Sequence, residues 1–177
     1  MFWNRKYNIE EIKGFYRDEL INSESLYLHD IWNFTDEELE EKHDYIQWLL
    51  PIDRKSHFNR KAPVLTSSDI AILKSDSIVM QNLIKGIRIF LDFLGLELTE
   101  DDNIRLSSDF ESKKKNWLKP RNHNYKRISR LLIFCKLFGF TEISAKLMVV
   151  LTELYNSNKE TIGADTYRYW KAAFMRG

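Results

Sequence analysis

SIVMQNLIKGIRIFLDFLG, residues 77–95, is the stretch that decides the fold. Met80, Leu83, Ile84, Ile87, Phe90, Leu91 and Leu94 recur at helical spacing along one stripe, and Val79, Gly86 and Phe93 form a second. Only Lys85, Arg88 and Asp92 mark a polar remainder, so a helix here is apolar around most of its circumference and needs other elements on several sides. The spacing therefore predicts a central helix near residues 76–94, with Asp76 at its start and Gly95 as its stop. Gly86 gives up about 1 kcal/mol of helix propensity and in return allows a neighbouring element to approach closely.

Upstream, Thr66 followed by Ser67, Ser68 and Asp69 reads as the cap of a short helix over Ser67 to Leu73. Ile9, Ile12, Phe15, Tyr16 and Leu20 predict an amphipathic helix over residues 9–20. Thr35 with Glu38 forms a capping-box pattern, and the spacing predicts one helix from about 35 to 50, ended by Pro51. On that helix His43 falls on the apolar stripe with Leu39, Ile46 and Leu50, as a core-edge histidine. Asp44 and Trp48 point to the other side, with Glu37 and Glu41. Trp48 then needs a cover, and the long polar segment 53–66 is the nearest candidate.

Downstream, Phe110, Trp117 and Leu118 anchor a short helix closed by Pro120. Asn122 or Asn124 then caps a helix carrying Ile128, Leu131, Leu132, Cys135 and Phe138, with Gly139 as its stop. Two further helices carry Ile143, Leu147, Val150, Leu151 and Leu154, and Tyr167, Trp170 and Phe174. No strand pattern is evident. The expected fold class is all-α: a compact single-domain bundle of about six to eight helices across residues 1–177.

Composition agrees with that class. The 177 residues are 44% hydrophobic and 30% charged, enough apolar material for a sizeable core and too little low-complexity sequence for disorder. No apolar run approaches the length of a membrane span, and the start has no signal-peptide pattern; the expectation is an intracellular, cytoplasmic protein. The single cysteine, Cys135, sits in a helical apolar stripe and reads as a buried inert thiol. A net charge of +1 conceals an asymmetry: residues 1–53 hold 5 Lys/Arg against 13 Asp/Glu, and residues 54–177 hold 22 against 13. Mutual neutralisation of the two halves is the simplest account of that asymmetry, and an anionic ligand is the other.

For catalysis the sequence offers His29, His43, His57 and His123, two of them followed directly by Asp. There is no H-E-x-x-H, Cys-x-x-Cys, phosphate loop or nucleophile elbow, which leaves a metal-dependent hydrolase built from distant His/Asp residues as a remote alternative. The sequence names no cofactor and no catalytic residue. The segment KKKNWLKPRNHNYKRISR, residues 113–130, is better material for binding, because it is basic, free of acids and laced with Trp117 and Tyr125. Lys119, Arg121, Asn122, His123, Asn124, Lys126, Arg127 and Arg130 are the candidate anion-binding residues. Free amides at the helix start would add donors, and the two rings a stacking surface for a base or peptide. A peptide, a protein, or a nucleic acid or other polyanion would suit such a site; oligomeric state is not legible.

Four segments in order, HDYIQWLLPI (43–52) behind an acidic helix, LTSSDIAILK (65–74), NLIKGIRIFLDFLGLEL (82–98) and HNYKRISRLLIFCKLFGF (123–140), carry a family resemblance. The sequence resembles the opioid growth factor receptor conserved region over nearly its whole length. The resemblance implies a non-enzymatic module that binds a peptide or protein, as the animal receptor binds the peptide Met-enkephalin. Within the first segment His43, Asp44, Tyr45, Gln47, Trp48 and Pro51 are the family-motif residues, marks of the fold before they are marks of a site.

Overall fold

The computed structural model describes residues 7–56 and 58–176. Eleven α-helices, one 3₁₀ turn and a two-stranded hairpin make up these residues. They divide into two units, one up to Ile87 and one from Arg88 onward. The division falls inside the central helix, which spans Ser77–Phe93 as predicted.

In the first unit, α1 (Ile9–Tyr16) opens with a capping box between Asn8 and Glu11. It ends earlier than the apolar spacing suggests: Asp18 has φ 64°, and Leu20 is 46% exposed instead of joining the core. α2 (Leu28–Trp32) and α3 (Asp36–Glu41) follow, α3 with the predicted Thr35–Glu38 box. The predicted continuous helix from 35 to 50 is interrupted. Lys42 is extended, and a separate short α4 covers Ile46–Leu49. The cause is Tyr45, whose hydroxyl donates to the Leu39 carbonyl at 3.0 Å, the acceptor that His43 N–H would use in an unbroken helix. Tyr45 is 1% exposed, and its ring meets Phe34 edge-on. Every residue from Tyr45 to Ile52 is buried, a contiguous run that a one-faced helix could not supply.

α5 (Ser67–Lys74) carries the Thr66–Asp69 box, and α6 (Ser77–Phe93) is capped by the Asp76 carboxylate, which accepts from the Ile78 and Val79 amides. Arg17 and Lys13 reach the same carboxylate at 2.8 and 3.3 Å. Desolvation works against the charge, yet hydrogen bonds from Arg17, the Val79 amide and Lys13 bring Asp76 down to about 2. Gly86 does what its position implies: a Cβ there would lie 3.0 Å from Leu49 Cδ1, so α4 packs onto α6 through the missing side chain.

In the second unit the chain leaves α6 through Gly95 (φ 75°) into β1 (Leu96–Leu98), which pairs antiparallel with β2 (Ile104–Leu106). This hairpin corrects the expectation of no strand. Three residues per strand give too few alternations for a period of two to show, although Glu97 and Arg105 are cross-strand partners and pair at 3.0 Å. α7 (Phe110–Lys113) and a 3₁₀ turn (Lys114–Asn116) lead to α8 (Asn124–Phe138), which stops at Gly139 with φ 83°. α9 (Thr141–Ser157), α10 (Lys159–Ile162) and α11 (Ala164–Met175) complete the chain, and α8, α9 and α11 pack on one another around Leu131, Leu132, Leu147, Leu151 and Trp170. Cys135 lies buried within α8, and burial pushes its thiol up, away from reactivity. The fold is mostly helical, as the sequence implies. Among the described residues no helix is long and apolar enough to cross a membrane.

Candidate functional site

Two families of sequence-predicted residues can be placed. The motif residues 43–51 come first. His43 is exposed, not at the core edge, because the break after α3 takes it off the helical stripe. Asp44 is exposed as well, and its carbonyl accepts from Asn59 Nδ2 at 2.8 Å. Trp48 is not an exposed ring awaiting segment 53–66: it is 1% exposed, with Phe15 and Tyr7 edge-on at 4.9 and 5.3 Å. Its carbonyl accepts from the Tyr16 hydroxyl at 2.8 Å. Gln47 is buried against Ser56 Oγ at 3.0 Å, and with its nitrogen turned towards the His43 and Asp44 carbonyls all its polar atoms are satisfied. With Pro51 also buried, this motif is a structural element throughout its second half.

The basic segment is organised by asparagines. The Asn116 carbonyl accepts from Asn122 Nδ2 and Asn124 Nδ2, each at 3.2 Å. Asn124 is fully buried, and its Oδ1 accepts from Arg127 Nη1 at 2.9 Å, which holds that guanidinium at 6% exposure. Trp117 is fully buried, donating from Nε1 to the Leu94 carbonyl at 2.8 Å. Tyr125 is 5% exposed between Trp117 and Trp170, and Trp170 Nε1 donates to its carbonyl at 3.0 Å. Burial pushes the Tyr125 hydroxyl up to about 12, against a smaller opposing pull from the Lys119 backbone.

This geometry corrects the predicted site in two respects. Trp117 and Tyr125 are core side chains and offer no stacking surface, and Arg127 and Asn124 face inward. The helix start, moreover, has no spare amides. The Asn124 amide donates to Asn122 Oδ1 at 2.8 Å, the Tyr125 amide to the Asn122 carbonyl at 3.3 Å, and the Lys126 amide to the His123 carbonyl at 3.1 Å. The N-cap of α8 is His123, whose side chain makes no cap bond, so neither predicted residue holds that position; Asn122, one residue earlier, bonds the first helical amide instead. What stays at the surface is cationic: Lys119, Arg121 and Lys126 are exposed together with His123, and Arg130 is half-buried. Arg121 is held at φ 59°, in the tight turn that leads into α8.

The described histidines are placed apart from one another in the sequence's elements. His29 Nδ1 lies 2.9 Å from Asp18 Oδ2, and its ring stacks on Tyr27. His57 lies outside the described residues. Among the described residues no group of three or more His, Cys, Asp or Glu side chains is arranged to hold a metal ion.

Comparison with known proteins bears on this arrangement. Residues 3–176 match the opioid growth factor receptor (OGFr) conserved region. The chain belongs to that family. It is 34% identical over 118 residues to opioid growth factor receptor-like protein 1 of Xenopus tropicalis, covering 66% of this chain and 23% of that protein. It is 31% identical to the opioid growth factor receptor of Mus musculus and 30% to that of Homo sapiens, each across 76% of this chain and 22% and 20% of those proteins. The chain thus spans less than a quarter of the length of these relatives. No solved structure matches it.

Proposed function

We propose that this chain is a non-enzymatic binding module for a peptide or protein, and that the partner's carboxylates are received by the cations in front of α8. The observation that supports this reading is the asparagine frame. Asn116, Asn122 and Asn124 satisfy one another and the helix amides, so Lys119, Arg121 and Lys126 stand exposed on a turn whose own polar groups are already used. Fixed cations of this kind favour encounter and orientation more than they favour tightness. The same cations would reach a nucleic acid through phosphates alone, since both rings of the segment are buried.

The test is calorimetric titration of the full chain with the opioid growth factor peptide, for which the relatives are named, and with the same peptide amidated at its C-terminus. The expected outcome is salt-sensitive binding that falls roughly tenfold or more with Lys119→Glu and Lys126→Glu together. Binding that ignores salt and both substitutions would refute the assignment of the site.

A further inference from the structure

Residues 50–66, between α4 and α5, form the longest connection among the described residues, and a loop of that length without regular structure tends to be functional. The Leu65 amide donates to the Ile52 carbonyl at 3.2 Å, which brings the two ends together in the manner of an Ω-loop. Its stem is buried through Pro51, Ile52, Pro63 and Leu65. Two polar side chains set the turn. Ser56 Oγ accepts from the Phe58 and Asn59 amides at 3.1 and 3.2 Å, and Asn59 Oδ1 accepts from the Lys61 and Ala62 amides at 2.9 and 3.1 Å. Asn59 is itself only 5% exposed, with Nδ2 on the Asp44 carbonyl at 2.8 Å and on Glu24 at 3.3 Å.

This buried scaffold holds an unusual tip. Phe58 is 74% exposed, and Arg54, Lys55, Arg60 and Lys61 surround it in sequence, all exposed, with no acid between residues 54 and 61. Lys61 lies 3.6 Å from Glu24 with 62% of its side chain in solvent. Trp48, which this segment was expected to cover, meets Phe15 of α1 edge-on at 4.9 Å.

We propose that this loop docks on an anionic phospholipid surface, with Phe58 entering the headgroup boundary and the four cations meeting lipid phosphates and carboxylates. A ring exposed to this extent has no groove walls, whereas peptide recognition and single-strand binding both draw on an enclosing groove, the latter lined by several successive rings. One apolar ring collared by long cationic side chains instead fits a planar interface, where ring and charge partition to adjacent depths. The surface lies in the first unit, so it stands or falls separately from the peptide site in front of α8.

The experiment is co-sedimentation of the full chain with vesicles of phosphatidylcholine alone and of phosphatidylcholine mixed with phosphatidylserine. Binding is expected to the mixed vesicles only and to weaken with salt. Each cation near such a surface contributes about a fivefold change in partitioning, so Arg54→Gln with Arg60→Gln is expected to lower it roughly 25-fold. Phe58→Ser is expected to lower it as well and Phe58→Trp to preserve it. All three side chains are exposed, and an unchanged thermal melt confirms that each variant is folded. Absence of binding to mixed vesicles, binding insensitive to these substitutions, or stronger binding to a single-stranded oligonucleotide at the same salt would overturn the proposal.

Discussion

Residues 54–61 and 113–130 are both basic, free of acids and laced with aromatic side chains, yet they turn those rings in opposite directions: Phe58 is 74% exposed, Trp117 0% and Tyr125 5%. The difference lies in what anchors each segment. In the Ω-loop, Ser56 and Asn59 bond the turn amides and the prolines and leucine fill the stem, so residues other than Phe58 hold the turn and its base. In the segment before α8, Trp117 is itself the anchor, because its indole N–H reaches the Leu94 carbonyl while its body fills the core. A basic, aromatic-laced stretch is therefore two different objects, and which one it is depends on whether polar side chains nearby can hold the backbone unaided.

The sharpest way to break this comparison is to truncate the rings. Trp117→Ala is expected to destabilise the protein by about 3 to 5 kcal/mol through the lost packing and the orphaned Leu94 carbonyl. Phe58→Ala should stay within about 0.5 kcal/mol of the parent, as surface substitutions do. Urea denaturation measures both, and equal costs would show that the two segments are anchored alike.

The asparagines sharpen it further. Asn124→Ala removes the acceptor of Arg127 Nη1 and a donor from the Asn116 carbonyl, at an expected cost of about 1 to 3 kcal/mol to the whole fold. Asn59→Ala removes bonds whose far ends lie mostly within its own loop, so its signature should be faster hydrogen exchange at Lys61 and Ala62 ahead of global unfolding. If Asn124→Ala opened only its own turn, the asparagine frame would not be part of the core.

These same residues show what the sequence could and could not convey. α6 was legible because seventeen residues of unbroken period leave no competing account, and Gly95 and Gly139 marked real stops. The break in the predicted 35–50 helix was not legible, because it depends on the Tyr45 hydroxyl taking the Leu39 carbonyl, a choice made by tertiary burial of residues 45–52. His43 and Trp48 were misplaced in consequence, one expected inward and found exposed, the other the reverse. The hairpin was too short to declare a period. At the candidate site the cationic character could be read, but the helix start at His123 and the inward turn of Trp117, Tyr125 and Arg127 could not. Charge density says how polar a segment is and nothing about which side chains its neighbours will enclose.

The smallest expected effect separates the two segments by titration. Burial raises the Tyr125 hydroxyl from an ordinary value near 10 up to about 12, whereas the loop at 54–61 holds no phenol at all. Between those values the unfolded chain ionises this group and the folded chain does not. The stability that Tyr125 contributes is therefore complete below pH about 10 and is lost as the pH rises to about 12. Tyr125→Phe keeps the ring against Trp117 and Trp170 and removes the ionisation, so it should flatten the alkaline limb of the stability profile while leaving neutral stability nearly unchanged. In a spectrophotometric titration, the difference between parent and variant isolates the Tyr125 phenol, and that difference should be centred near pH 12. A difference centred near pH 10 instead would return the Tyr125 ring to the surface, beside Phe58 in kind.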